Sequence, residues 1–260
     1  MSNEQEARAS LSITGVIATI TLTRSTAYNA IDIDMALRLK DLILEVEARE
    51  DIRVVVIAGA GKSFCAGGDL DFFVRHINDL APPITELLIH LNAFLLALHR
   101  MPKLVLTSVQ GVAAGAGFSL AFMGDFCIAA DNARLRPAYI HIGLSPDAGG
   151  TAGVVRAVGP RRAMQLFLGE QEIDAQQAMQ WGLVTKVVPD QALEQQTRDF
   201  ALHLAHWEPA AAAATKRLIW QSAQTGLQDQ LNEELIAVVD CMKAQTFKPQ
   251  LQRLRQKRKD

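Results

Sequence analysis

The chain has little of what disulfide, metal or membrane chemistry draws on. Its 260 residues include three cysteines, Cys65, Cys127 and Cys241, scattered and odd in number. That usage builds neither a disulfide framework nor a zinc site and suits a reducing compartment. The formal net charge is only −2, which argues against a nucleic-acid partner held by bulk charge. No apolar run is expected to reach membrane-spanning length, since Leu87–Leu98 is interrupted by His90 and Asn92. Met1 to Ser10 is polar and acidic and lacks the apolar core of a signal peptide, so a soluble cytoplasmic protein is the expectation.

What is present is a globular balance, 49% apolar and 21% charged, enough for one large domain or one domain with an appendage. The basic end Arg253–Lys259 reads first as a solvated helix terminus and second as a phosphate contact. The periodicity predicts a hairpin of Leu11–Thr14 with Val16–Thr23, then a helix over Ile33–Arg49 with Ala36, Leu39, Ile43 and Val46 inward. Strands follow at Val54–Ala58, Leu104–Val109, Asp125–Ala129 and Val184–Val188. Short extended pieces are expected at Ala133–Leu135 and Tyr139–Ile142. Helices are expected from Asp69, over Pro82–Arg100, Ala116–Met123, Thr151–Val158, Arg161–Leu168 and Asp174–Gln180, and nearly throughout from Gln191. The recurring strand–turn–helix unit suggests stacked units in place of a sheet of crossover connections.

Two of those turns are poor in side chains: Phe64-Cys65-Ala66-Gly67-Gly68-Asp69-Leu70 and Gly111-Val112-Ala113-Ala114-Gly115-Ala116-Gly117. Such turns leave main-chain N–H groups open, and two of them meeting could aim two donors at one oxygen, as in an oxyanion hole. Other motifs are weaker. Gly59-Ala60-Gly61-Lys62-Ser63 imitates a phosphate loop but has Val56 where its first glycine belongs. Gly115-Ala116-Gly117 has Leu120 in place of the third glycine of a dinucleotide fingerprint. His203 and His206 have no nearby carboxylate or cysteine to complete a metal site. Asp147, in the loop Gly143–Gly150, is either an N-cap through Gly150 or a carboxylate base over a pocket.

These turns, together with Leu22-Thr23-Arg24, Asn29-Ala30, Gly143-Leu144-Ser145-Pro146-Asp147, Gly149-Gly150-Thr151, Gly159–Ala163 and Ala178–Val184, resemble the enoyl-CoA hydratase/isomerase, or crotonase, family over nearly the whole chain. The likeness leans toward the ring-opening isomerases of phenylacetate breakdown. It implies an α/β fold, a crotonase-like spiral of ββα units over residues 1–200 carrying an acyl-CoA site, and a C-terminal helical trimerisation region over 201–260. It implies an acyl-CoA thioester as substrate, no cofactor beyond that CoA, no metal, no nucleic-acid or membrane partner, and a homotrimer or dimer of trimers.

Carried across residue by residue, the resemblance assigns the two oxyanion donors to the N–H groups of Ala66 and Ala116. It lines the substrate site with Ala66, Gly67, Gly68, Asp69, Leu70, Gly115, Ala116, Ser119, Tyr139 and Leu144, and sets Arg24 near the CoA phosphates, an unpartnered surface arginine being the alternative. Ser119 and Tyr139 stand where the family's hydratases carry two glutamates, while Asp147 stands where other branches carry a catalytic aspartate. A pocket lined by Phe118, Phe122 and Leu144 would raise the pKa of Asp147. An acyl-CoA isomerase shifting a double bond follows, with Asp147 as acid and base. A hydratase, a dehalogenase using Asp147 as nucleophile with His90, and a non-catalytic acyl-CoA-binding protein are the alternatives.

Overall fold

Runs of consecutive apolar residues become strands buried on both faces. In the computed structural model, which describes residues 7–169 and 172–256, β1 (Ala9–Thr14) and β2 (Ile17–Leu22) form the expected antiparallel hairpin. Parallel to β2 run β3 (Val54–Gly59), β4 (Leu104–Val109), β6 (Phe126–Ala130) and β9 (Lys186–Val188) in one six-stranded sheet of order β1-β2-β3-β4-β6-β9. Alternate residues of a strand face opposite ways. Val55 and Ile57 accordingly enter one core, while Val54 and Val56 enter a second on the other face.

Helices cover both faces. In α1 (Ile33–Glu47), capped by the Asp32 carboxylate on the Met35 N–H, residues Ala36, Leu39, Ile43 and Val46 are buried as the spacing predicts. They pack beside α3 (Ala81–Arg100), whose inner face carries Leu87, Leu91, Phe94, Leu95 and Leu98. Contrary to the sequence expectation, α3 is long and apolar enough to cross a membrane; here its apolar stripe belongs to the core. The opposite face of the sheet is covered by α7 (Leu193–Ala205), which runs through residue 200 and buries Ala201, Leu204 and Ala205.

A smaller sheet of order β5-β7-β8 joins Val112–Ala114, Arg134–Arg136 and Ile173–Asp174. The remaining helices before α7 are α2 (Leu70–Arg75), α4 (Ala116–Ala121), α5 (Gly150–Leu168) and α6 (Ala175–Gln180). Within α5, Gly159 at φ 76° breaks the helix before Pro160, as expected. Two expectations are corrected. Tyr139–Ile142 is a 3₁₀ turn, not an extended piece. The strand–turn–helix units are also joined by parallel crossovers into one sheet, so stacking does not replace crossover connection. The start of the chain through residue 6 and the final basic residues Lys257, Arg258 and Lys259 lie outside the described residues.

The C-terminal layer is α8 (Pro209–Ser222), α9 (Leu227–Met242) and α10 (Phe247–Gln256). It is pinned to the body by one buried cation. The Lys216 ammonium donates to the Leu98 and Lys103 carbonyls, both at 2.9 Å, and pairs with Asp125 at 3.0 Å. Asp125 also accepts from the Val105 N–H and from the Trp220 indole, each at 2.8 Å. Removing one partner of a buried pair strands the other charge. Lys216→Ala is therefore expected to destabilise the fold by about 3–5 kcal/mol, read as a lower midpoint in equilibrium denaturation.

Candidate active site

Because β3 and β4 are parallel neighbours, in register from Val54↔Leu104 to Ala58↔Ser108, the chain leaves both at the same sheet edge. The two side-chain-poor turns therefore emerge side by side. They are zipped together by main-chain bonds: Cys65 N–H to the Val112 carbonyl at 3.1 Å, and Ala114 N–H to the Cys65 carbonyl at 2.9 Å. Their glycines are required by this contact. A methyl group on Gly117 would stand 2.1 Å from the Cys65 carbonyl oxygen, and one on Gly67 would stand 2.6 Å from the Ala114 oxygen.

One of the two expected donors is not available. The Ala66 N–H already bonds the Tyr28 carbonyl at 2.9 Å, because residues 28–31 run alongside this turn. In the same pairing the Ile31 N–H bonds the Gly67 carbonyl at 2.7 Å, and the Asp69 N–H bonds the Ile31 carbonyl at 3.0 Å. In a trans peptide the C=O and the following N–H point in opposite directions. With the Gly67 carbonyl turned toward Ile31, the Gly68 N–H must point away from it. Gly67 makes that reversal at φ +96°, a region that favours glycine. Among the described residues the Gly68 N–H has no hydrogen-bond partner. The open N–H of the first turn is thus that of Gly68, while that of Ala66 is engaged.

The Ala116 N–H is open. Ala116 is the first residue of α4, so its N–H has no acceptor within the helix, and among the described residues it has none elsewhere. The preceding Gly115 is held by its own N–H on the Arg136 carbonyl at 3.0 Å. A methyl on Gly67 would lie 3.3 Å from the Ala116 nitrogen, so the two turns meet at this point.

The carboxylate of Asp147 does not cap α5. The Gly150 N–H bonds the main-chain carbonyl of Asp147 at 2.9 Å, and no side chain caps that helix. Instead Asp147 Oδ1 accepts from the Tyr139 hydroxyl at 2.7 Å, and that hydroxyl lies 2.7 Å from Ser119 Oγ. The structure thus brings Ser119, Tyr139 and Asp147, successively 20 and 8 positions apart in sequence, into one hydrogen-bonded chain. Burial raises the carboxyl pKa of Asp147 above its ordinary value, while the Tyr139 bond opposes the rise. Burial, then the nearby Asp147 charge, pushes the Tyr139 phenol up further, so it stays protonated. Ala138 and Ala148, flanking this segment, both take left-handed backbone conformations, φ 59° and 48°. Such strain costs an alanine roughly 1–2 kcal/mol and persists where the surroundings enforce it.

Residues 12–260 match the enoyl-CoA hydratase/isomerase family. The chain is 35% identical over 221 residues to 1,2-epoxyphenylacetyl-CoA isomerase of Escherichia coli, covering 84% of each. It is 34% identical over 215 residues to 2,3-dehydroadipyl-CoA hydratase of the same organism, covering 83% of this chain and 82% of the hydratase. A Thermobifida fusca protein solved in complex with acetoacetyl-CoA superposes with a TM-score of 0.82 at 32% identity, covering 91% of this chain and 95% of that one. The chain belongs to the enoyl-CoA hydratase/isomerase family.

The remaining residues assigned by family likeness divide between site and scaffold. Ser119 is fully buried behind Tyr139, so it does not line an open site. Asp69 is also buried; it caps α2 through the Phe72 N–H at 3.0 Å and pairs with Arg24 at 2.5 Å. Arg24 in turn contacts Asp32 at 3.5 Å and donates to the Ala30 carbonyl at 3.1 Å. It is neither free for a phosphate nor unpartnered: it ties the first turn to β2. Leu70 and Leu144 are exposed, whereas Phe118 is sealed in the core against Phe122 and Phe167, with ring centroids 5.0 and 5.9 Å away. His90 is half-buried on α3, and among the described residues no hydrogen bond or ring contact joins it to Asp147.

Sequence reasoning placed Gly68 only among the residues lining the site, because which N–H stays open depends on the segment that pairs with the turn. Gly117→Ala must separate the turns, since the methyl cannot fit beside the Cys65 carbonyl. At least about 10²-fold loss of turnover is expected, as for removal of an oxyanion donor, measured on acyl-CoA substrates.

Proposed function

We propose that this chain is an acyl-CoA isomerase that moves a double bond from the 3,4 to the 2,3 position of a thioester. Asp147 takes a proton from C2, breaking the C–H bond, and the electron pair passes into a dienolate whose negative oxygen is held by the Gly68 and Ala116 N–H groups. The protonated carboxyl then gives the proton to C4, and the thioester carbonyl re-forms. The shift uses no redox group, so CoA enters only as part of the substrate. An acyl-CoA substrate is also supported by the acetoacetyl-CoA complex of the similar Thermobifida fusca protein.

One observation carries the choice of reaction. The two positions at which the family's hydratases carry glutamates hold a hydrogen-bonded serine and tyrosine, and the carboxylate joined to them is Asp147. Hydration requires one group to activate water and another to supply a proton to C2. Ser119 is sealed from solvent and the Tyr139 hydroxyl is engaged on both sides, which leaves no second acid for that chemistry. A 1,3-proton shift needs one carboxylate, and a raised pKa suits it to both halves of the reaction.

The same reading includes assembly into a homotrimer or dimer of trimers. Leu227, Leu231, Leu235, Val238 and Met242 lie exposed at helical spacing along α9, which supports burial against further copies.

Purified protein is expected to convert 3-enoyl-CoA to 2-enoyl-CoA. Conversion of only the 2-enoyl thioester, to its 3-hydroxy product, would overturn the isomerase reading in favour of a hydratase. Asp147→Asn keeps the Tyr139 contact but removes the base, so kcat/KM should fall about 10²–10⁴-fold with CoA binding and circular dichroism unchanged. Since the carboxylate is the active form, activity should fall as pH drops through its pKa. That acid limb should lie above the ordinary aspartate value of about 3.9.

A further inference from the structure

We propose that Ser119 and Tyr139 form a two-hydroxyl relay that fixes the Asp147 carboxylate and selects the oxygen that exchanges the substrate proton. Both are positioning residues acting through Asp147, and their role in turnover rests on the reading of Asp147 as the base.

The relay has one direction. An ionised carboxylate can only accept, so the single Tyr139 hydroxyl proton is directed at Asp147 Oδ1 across 2.7 Å. Ser119 must then donate at the 2.7 Å contact with the Tyr139 oxygen. Each bond polarises the next, so the serine strengthens the tyrosine as a donor. The serine is locked in place: a methyl on Gly150 would stand 2.1 Å from Ser119 Oγ, and the Tyr139 ring packs 6.4 Å from that of Phe167.

Fixing Oδ1 leaves Oδ2 to do the chemistry. When the C2–H bond breaks, the new O–H bond forms on Oδ2; when the C4–H bond forms, the same O–H bond breaks. Oδ1 remains an acceptor throughout, so Tyr139 need not turn. Its phenol is held protonated by burial and by the Asp147 charge, so the relay orients and does not carry the proton. Ser119 is fully buried and Tyr139 is only 7% exposed, which suits residues that work behind the carboxylate.

Few other charges bear on Asp147 from the elements around it. The segment α4 contributes no titratable side chain. In the 3₁₀ turn His141 lies 3.0 Å from Arg136. In the opening turns of α5 the charged residue is Arg156, which stacks over Trp220 with 4.9 Å to the ring centroid. Tyr139 supplies the hydrogen bond that holds the Asp147 pKa down against burial. Loss of that bond must raise it.

The test is a ¹³C NMR titration of aspartate γ-carbons in the unliganded full chain, with Asp147 assigned through Asp147→Asn, alongside pH profiles of kcat/KM. Tyr139→Phe should raise the Asp147 midpoint, and the acid limb with it, by about one pH unit. Ser119→Ala should raise it by roughly a few tenths of a unit in the parent and by nothing when Tyr139→Phe is also present. An unmoved midpoint in Tyr139→Phe overturns the relay, as does an equal Ser119→Ala shift in both backgrounds. Should Tyr139→Phe fail to fold, Ser119→Ala decides alone: a rise supports the relay and an unmoved midpoint overturns it. The titration needs no turnover. Shifted midpoints in a protein that isomerises nothing would keep the relay and discard the isomerase reading, whereas unmoved midpoints in an active isomerase would do the reverse.

Discussion

Two main-chain hydrogen bonds at Cys65, one to Val112 and one from Ala114, hold the two side-chain-poor turns together. They turn two distant stretches of chain into one platform and bring the open N–H groups of Gly68 and Ala116 to one place. The residues that face these carbonyls are glycines because a side chain would break the contact: Gly117 faces the Cys65 carbonyl, and Gly67 faces the Ala114 carbonyl. The large sheet makes these bonds possible by placing β3 beside β4 in parallel register. The geometry of the two turns is therefore a property of sheet order first and of side chains second.

A second layer holds the platform from outside. Residues 28–31 bond the first turn through Tyr28 and Ile31, while Arg24 ties Asp69 and Asp32 together across the same junction. The pairing decides which amides face inward. It engages the Ala66 N–H and, through the reversal at Gly67, leaves the Gly68 N–H open. The carboxylate side is held differently, by side-chain hydroxyls and by two alanines in left-handed conformations. Tyr139 fixes the orientation of the Asp147 carboxylate and opposes the rise that burial gives its pKa.

The strands, the main helices and the two side-chain-poor turns were legible from periodicity and composition, because burial on one face or two leaves a direct mark on residue order. Family likeness located Asp147, Ser119 and Tyr139 but treated the latter two as substrate contacts. In the fold Ser119 is sealed behind Tyr139, whose hydroxyl bonds the carboxylate on one side and the serine on the other. The 3₁₀ turn at Tyr139–Ile142 was unreadable because its apolar residues divide: Tyr139 turns inward, while Ile140 and Ile142 remain exposed. Asp147 itself sits before a glycine-opened helix, where the sequence pattern of a cap and that of a base are the same.

By itself the sequence determined the alternation of strand and helix, the bare turns and the family, since each depends on residue type at short range. Only the tertiary structure decided that Gly68 and not Ala66 offers its amide, that Arg24 is a tie within the scaffold, and that Asp147 meets Tyr139 and Ser119. Those outcomes depend on which segments lie side by side. A main-chain N–H is chemically the same in every residue but proline, so only its neighbours determine whether it is engaged or free.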